Sequence, residues 1–280
     1  MADATIKHFI FIQFFNWQNP NYPYNVLDVE FLKTQLSLTK NALRSLENQT
    51  NKNFEVIFTL NDKIFLNGIR DKKYDVIFST LKDSTVLPVK FENKFDTDAF
   101  VKIALNEYDF VIQSRIDFDD FIFKDAVADT QSKVDECENI LAYGYCKGYT
   151  YLYGELYPYY YLWNGVGHLG ILQSFILKSS AVKKMPLMGI GGFYHDRFKT
   201  MLKAFLDRNS IAFSENMFQQ NNSTNAFIYF RHEFSQEQLS KNAGNPQFKI
   251  PNFSPLTTSD ITAAQLKSKF GFDYELKSIK

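Results

Sequence analysis

The stretch Arg115-Ile116-Asp117-Phe118-Asp119-Asp120 gathers three carboxylates and a guanidinium directly behind the apolar run Asp109-Phe-Val-Ile-Gln-Ser114. The run has strand character. In extended backbone, Asp117 and Asp119 point the same way. Two carboxylates on one side of a strand end make a hard-oxygen site suited to Mg2+ or Mn2+, ions that keep positions open for water and substrate phosphate. Without a cation, clustered acids repel one another and at least one pKa rises. Arg115 offers a planar fork for phosphate or carboxylate. The same residues also read as a solvated acidic turn that caps a helix expected over residues 123–137, because acids favour helix N-termini. The pattern alone leaves both readings open.

The elements that must position this cluster alternate along the chain. Phe9-Ile-Phe-Ile-Gln-Phe-Phe15 reads as a buried strand, followed by a loop rich in Asn, Pro and Tyr over residues 16–25. Leu32, Leu36, Leu38, Leu43 and Leu46 mark a helix ending near Gln49-Thr50. Phe54-Glu-Val-Ile-Phe-Thr-Leu60 is a second strand, closed by Asn61-Asp62, and a charged region extends to about Asp83. Residues 85–91 form a third strand that Pro88 relegates to an edge or a bulge. Residues 96–108 predict a helix with Asp96 as N-cap, and the run before Arg115 is the fourth strand. Alternation at this spacing argues for a parallel sheet covered by helices on both faces. Such sheets bind ligands at the carboxyl ends of their strands.

The second half carries other signals. Residues 140–153 alternate, with Tyr143, Tyr145, Tyr149, Tyr151 and Tyr153 in one parity, and predict a half-buried strand or a hairpin turning at Lys147-Gly148. A strand over residues 170–177 and a helix over residues 193–209 follow, the helix led in by Gly189-Ile-Gly-Gly192. This glycine run lacks the Lys-Ser/Thr of a nucleotide loop and reads as a flexible acceptor-side loop with scope for a lid role. A last strand spans residues 226–230, and a polar segment with one short helix near residues 260–270 completes the chain.

Composition excludes several classes. The 280 residues carry 31 Lys+Arg against 31 Asp+Glu, a net charge of zero, which argues against nucleic acid as partner. Hydrophobic residues make up 45%, enough for a large core. No run reaches the roughly 18 apolar residues of a transmembrane helix, and no cleavage site follows the first apolar run, so the expectation is a cytoplasmic protein with scope for peripheral membrane association. Cys137 and Cys146 read as reduced thiols, and the four histidines have no zinc spacing. His8 at a strand start reads as structural. Aromatics are 17% of the chain, and nine of the 16 tyrosines fall between Tyr143 and Tyr161, with Trp163 just beyond. That cluster is either a platform for sugar rings or a Tyr-rich hairpin with one wet face.

The Arg115–Asp120 stretch resembles the Asp-x-Asp region of nucleotide-sugar-dependent glycosyltransferases of the GT-A fold, and more narrowly the rhamnosyltransferase-type branch with its Arg-Leu/Ile-Asp-x-Asp-Asp. Leu43-Arg-Ser-Leu46 through Gln49-Thr50 to Phe54 resembles the family-2-like helix-to-strand junction. Phe227-Ile-Tyr-Phe-Arg-His232 resembles the late Tyr-x-Arg-His segment. The resemblance covers residues 8–235. It implies an α/β fold: a GT-A-like, Rossmann-type, mostly parallel sheet with helices on both faces plus a smaller antiparallel acceptor-side sheet. Residues 1–235 form one catalytic domain in this reading, with a nucleotide-sugar half over about 1–122 and an acceptor half over about 123–235, ahead of a polar tail at 236–280.

Carried over by residue, the resemblance implies Asp119 as main metal ligand, Asp117 on the donor ribose or sugar and near the metal, and Asp120 in support. Asp62 would contact the base, Arg231 the diphosphate, and His232 the metal or diphosphate. No family acid pair is evident for the catalytic base; Asp196 is the first candidate and His195 the second, both at the expected start of the helix after the glycine run. Tyr151, Tyr153, Trp163 and His168 are the acceptor-side candidates, with a plain loop histidine as the alternative for His168. The implied activity is a Mn2+- or Mg2+-dependent hexosyltransferase, in this branch a rhamnosyltransferase. It would move a sugar from a nucleotide-diphosphate sugar to a glycan or polysaccharide hydroxyl, with inversion. A catalytically inactive glycan-binding module on the same fold is the alternative from another class, and a nucleotidyltransferase ranks third.

Overall fold

Strand β1 (Ile6–Phe14) is apolar on both faces, and this dictates layers above and below it. The structure is a computed structural model, and the residues it describes are 4–14, 28–60, 75–83, 85–93, 97–152, 155–160, 172–185, 189–190, 198–231 and 260–273. Ile10, Ile12 and Phe14 enter one core, shared with Leu32, Leu36, Leu43 and Leu46 of helix α1 (Val29–Glu47). Strand β2 (Glu55–Leu60) and helix α2 (Asp75–Asp83) complete this side, the helix through Ile77 and Leu81. Phe9 and Phe11 enter a second core on the opposite face, with Val101 and Ala104 of helix α3 (Thr97–Ala104).

Strand β3 (Val89–Asn93) begins directly after Pro88 and is the edge of the large sheet, as the missing donor requires. From β3 the chain crosses beneath β1 through α3 to β4 (Phe110–Asp117), which pairs in parallel with the other side of β1. The second half extends the sheet with β6 (Ile140–Tyr145), β9 (Gln173–Lys178) and β10 (Phe218–Asn221); the two-residue strand β5 (Phe121–Ile122) and helix α4 (Ala126–Ser132) lie between β4 and β6 in the chain, and β7 (Lys147–Leu152) and β8 (Glu155–Tyr160) between β6 and β9. The strand order is β10-β6-β9-β4-β1-β2-β3, with β9 antiparallel to both neighbours and every other pair parallel. The short helix α5 (Ser179–Val182) follows β9, and α6 (Phe198–Arg208) covers the α3 face through Phe198, Leu202 and Leu206. This is the α/β, mostly parallel sheet with helices on both faces expected from the sequence.

The smaller sheet runs β5-β11-β7-β8, where β11 is Phe227–Arg231. It is mixed rather than antiparallel throughout, because β11 and β7 pair in parallel. The reason lies at its junction with the large sheet. β6 and β10 run side by side and both continue into the small sheet, held by Cys146 N–H to Asn221 O (3.1 Å) and Ala226 N–H to Lys147 O (2.9 Å). The expected hairpin over residues 140–153 is therefore two strands in two sheets. Gly148 is not a turn residue: a Cβ there would lie 2.5 Å from the Phe227 carbonyl, so glycine is what lets β7 approach β11. The helix expected over residues 123–137 is the shorter α4 followed by a 3-10 turn, because residues 123–125 form the turn that leads out of β5. Helix α2 emerges from the region read only as charged.

Helix α7 (Ala263–Phe270) has a capping box between Thr262 and Gln265 and ends on Gly271 in the left-handed conformation (φ 70°). Its Leu266 and Phe270 are buried with the α1 core, and Phe272 packs on Phe121 at 4.8 Å. Among the described residues no helix is long and apolar enough to cross a membrane. Both cysteines are free, and burial pushes each thiol up to about 12, which leaves them inert.

His8 is structural, as its place at a strand start suggested. Gln131 donates from Nε2 to the Asn53 carbonyl (2.8 Å) and to His8 Nδ1 (3.3 Å), so His8 carries its proton on Nε2. That proton goes to Ser114 Oγ (2.7 Å), which in turn reaches Ser174 Oγ (2.6 Å). Burial pushes the His8 imidazole down to about 3 from 6.5, so the folded protein holds it neutral. The unfolded chain takes up that proton first, so stability is full above pH 6.5 and falls as the pH drops toward 3. By pH 5 the loss amounts to about 2 kcal/mol. Urea unfolding between pH 7 and 5 should show this slope, and His8→Gln should flatten it; an unchanged slope would assign the effect to another group.

Candidate functional site

The chain leaves β1 toward β2 on one side and returns to β4 on the other, so the carboxyl ends of β1 and β4 flank the topological switch point of the sheet. Gln13 of β1 is in register with Thr59 of β2 and with Asp117, the last residue of β4. The acidic stretch thus stands where a doubly wound sheet offers its binding crevice. Gln113, Arg115 and Asp117 alternate onto the same face of β4 as Val111, the face covered by α3 and α6.

The turn after β4 is held on several sides. Asp120 N–H closes it onto the Asp117 carbonyl (3.4 Å), and Phe118 packs edge-on against Phe14 at 5.5 Å. Asn41 of α1 donates its amide to the Asp119 carbonyl (3.4 Å). Arg115, 12% exposed, donates from its guanidinium to Asp117 Oδ1 (3.2 Å), which orients the 28%-exposed carboxylate of Asp117. Asp119 is partly exposed at the tip of the turn. Asp120 is fully buried at 0% exposure.

Below the turn, the backbone descends along α1 and is fastened by Gln49 and Thr50. The buried Gln49 amide donates to the carbonyls of Ser45 and Phe123 (both 2.9 Å), and its oxygen accepts the Val127 N–H (3.0 Å). Thr50 donates to the Asp125 carboxylate (2.9 Å). The Gln-Thr pair at the helix-to-strand junction therefore ties α1 to both ends of the segment joining the acidic turn to α4.

Of the expected site residues, the structure gathers Arg115, Asp117, Asp119 and Asp120 in this turn. Arg231 ends β11, which runs antiparallel to β5, so the backbone leaves the small sheet toward the level of the turn. Tyr151 packs its ring edge-on against Phe272 at 5.7 Å, at the rim of the core beside α7. Asp62, Tyr153, Trp163, His168, His195, Asp196 and His232 lie outside the described residues. Five of the clustered tyrosines have structural partners, Tyr157 donating to the Glu155 carboxylate (2.6 Å). Tyr143 and Tyr145 both donate to the Asp129 carboxylate (2.6 Å each), Tyr149 accepts from Asn225 (2.8 Å) and packs on Phe270, and Tyr151 meets Phe272. Burial and the nearby Asp129 push the Tyr143 hydroxyl well above its ordinary range.

Among the described residues no three His, Cys, Asp or Glu side chains come together as a metal cage. Mg2+ and Mn2+ do not require one; such ions commonly take one or two carboxylates and fill the remaining positions with water and phosphate oxygens. Asp117 and Asp119 are hard-oxygen donors at the open end of a strand, so the donor set fits a cation shared with a bound diphosphate.

Asn41 and Gln113 did not stand out in the sequence, and Gln49 did so only within the resemblance at the helix-to-strand junction, although a lone glutamine inside an apolar strand run, as at Gln113, is a readable signal of a buried hydrogen bond.

No family model matches the chain, and no curated protein matches it. Solved structures give loose likenesses. A Bacillus anthracis protein assigned as a glucose-1-phosphate thymidylyltransferase, in complex with sucrose, is 9% identical over 88% of this chain and 98% of its own, with a TM-score of 0.41. TarS from S. aureus, residues 1–349, is 15% identical over 85% of this chain and 65% of its own length, with a TM-score of 0.39. HddC from Yersinia pseudotuberculosis is 14% identical over 84% of this chain and 96% of its own, with a TM-score of 0.36. At these scores the likenesses carry no weight beyond a loosely shared outline.

Gln49→Ala should destabilise the chain by about 2 kcal/mol, because it takes the acceptor from the buried Val127 amide and removes one of the two hydrogen bonds that the Phe123 carbonyl accepts. Denaturant unfolding measures this. Thr50→Val, at an exposed position, should cost under about 1 kcal/mol.

Proposed function

We propose that the protein is a nucleotide-sugar-dependent glycosyltransferase that binds its donor diphosphate at the carboxyl ends of β1 and β4. The observation that carries this reading is the braced Arg115–Asp120 turn at the switch point of the sheet. Asp119 is the proposed main ligand of Mn2+ or Mg2+, with Asp117, oriented by Arg115, toward the ribose or sugar and the same ion. A divalent ion held there would act as a Lewis acid on the departing diphosphate. Arg231 and His232 are proposed to add positive charge toward the diphosphate, and Asp62 to meet the base.

The acceptor is proposed to be a glycan or polysaccharide hydroxyl. Its oxygen bonds to the anomeric carbon, the bond to the diphosphate breaks, and the electron pair leaves on the diphosphate oxygen. The hydroxyl proton passes to a base, for which Asp196 is first choice and His195 second. This is an inverting displacement, and the resemblance in Arg115–Asp120 favours a hexose such as rhamnose as the group moved. Tyr151, Tyr153, Trp163 and His168 stay as acceptor-side proposals; the Tyr151 ring packs against Phe272. A cytoplasmic location fits a nucleotide-sugar donor.

Calorimetric titration with UDP, GDP and dTDP, with and without Mn2+, tests the reading. One of them should bind at least about tenfold more tightly with the ion. Asp119→Ala should lose that gain while unfolding within about 0.5 kcal/mol of the unaltered protein. Equal affinity in excess chelator would contradict the proposal. Glycan binding with no nucleotide binding would identify the inactive module instead, and release of pyrophosphate from a nucleoside triphosphate would identify a nucleotidyltransferase.

A further inference from the structure

Two successive backbone amides outside any long helix or strand are held by side chains from two different elements. Gly189 N–H donates to the Asp98 carboxylate in the first turn of α3. Ile190 N–H donates to Gln113 Oε1 of β4 (3.3 Å), and both Ile190 and Gln113 are buried. The fit at Gly189 is close. A Cβ there would lie 2.7 Å from Asp98 Oδ1 and 2.9 Å from Thr97 Oγ1, so a side chain at 189 would push both oxygens aside and loosen this contact. Half-burial pushes the Asp98 carboxyl above its usual range, against the opposing pull of Lys102 and the Gly189 amide.

The place of this grip gives it meaning. Gln113, Arg115 and Asp117 lie on one face of β4, so the strand that ends in the acidic turn also fixes Ile190 about 13 Å before its end. Phe198, the first residue of α6, is buried 4.9 Å from Phe175 of β9 on the same face. Ile190 is thus seated against β4 of the donor half and Phe198 against β9, and Asp196 falls between these two residues in the sequence. We propose that Asp98 is a positioning residue: with Gln113 it fixes the backbone at Gly189–Ile190 and so sets the register of the acceptor half against the acidic turn. This rests on the transferase reading.

The test uses the full chain and Asp98→Ala, Asp98→Asn and Gly189→Ala. Asp98→Ala should speed hydrogen exchange of the amides at Gly189 and Ile190 by about tenfold. It should lower kcat on the order of 10²-fold, with the Kd for the nucleoside diphosphate within about twofold of the unaltered protein. Asp98→Asn keeps an accepting oxygen and should restore most of both, and Gly189→Ala should behave like Asp98→Ala. Unchanged exchange in Asp98→Ala would overturn the clamp, and so would nucleotide affinity falling as far as kcat, which would move Asp98 into the donor site. Absence of sugar transfer by the unaltered protein with every donor would overturn the transferase reading instead, and the exchange measurement separates the two failures.

Discussion

Strands β1 and β4 are buried on both faces, so a polar side chain on either strand must find a partner inside or sit at the strand's end. The interior cases are met in full: His8, Ser114 and Ser174 form a chain of short hydrogen bonds, and Gln113 takes the Ile190 amide. The terminal case is the acidic turn. Arg115, Asp117 and Asp119 stand where β4 leaves the core, and all three are partly exposed there. The order of the sheet places that exit at the switch point beside Gln13.

A turn carrying three acids is costly to hold unless its backbone is fixed from outside. Here α1 supplies much of that support, through Asn41 on the Asp119 carbonyl and through Gln49 on both sides of the descending segment. The C-terminal helix closes the same region, with Phe272 against Phe121 and the Lys124 amide bound to the Lys269 carbonyl (2.8 Å). Residues 261–272, read from sequence as a helix within a polar tail, are thus part of the core that backs the turn. The clustered tyrosines have a related role: Tyr143 and Tyr145 share Asp129, and Tyr149 and Tyr151 receive α7.

Much of this was legible. The apolar runs of β1, β2 and β4 and the leucine spacing of α1 follow from burial, which leaves a local trace in composition. Pro88 marked an edge strand because a missing amide cannot sit inside a sheet. The path of residues 140–152 was not legible. The tyrosine parity runs unbroken from Tyr143 to Tyr151, while the chain changes sheets at Cys146. Side-chain period reports which face is buried and not which sheet buries it. The reach of Gln49 and Gln113 was equally hidden, because their partners are backbone groups some 75 residues away (74 and 77 in two of the bonds) and glutamine carries no mark of whom it will meet. In the candidate site, the acidic turn and its arginine were evident from residue types. The burial of Asp120 was not, since adjacent acids look alike until the turn decides which one faces inward.

The central claim is that the turn after β4 holds a divalent cation together with a donor diphosphate. Crystals grown with Mn2+ and a nucleoside diphosphate test it directly through the anomalous signal of manganese. The account predicts one strong peak within bonding distance of the Asp119 carboxylate and of the diphosphate oxygens, lost in Asp119→Ala crystals. A diphosphate bound away from this turn, or manganese that ignores Asp119, would contradict it.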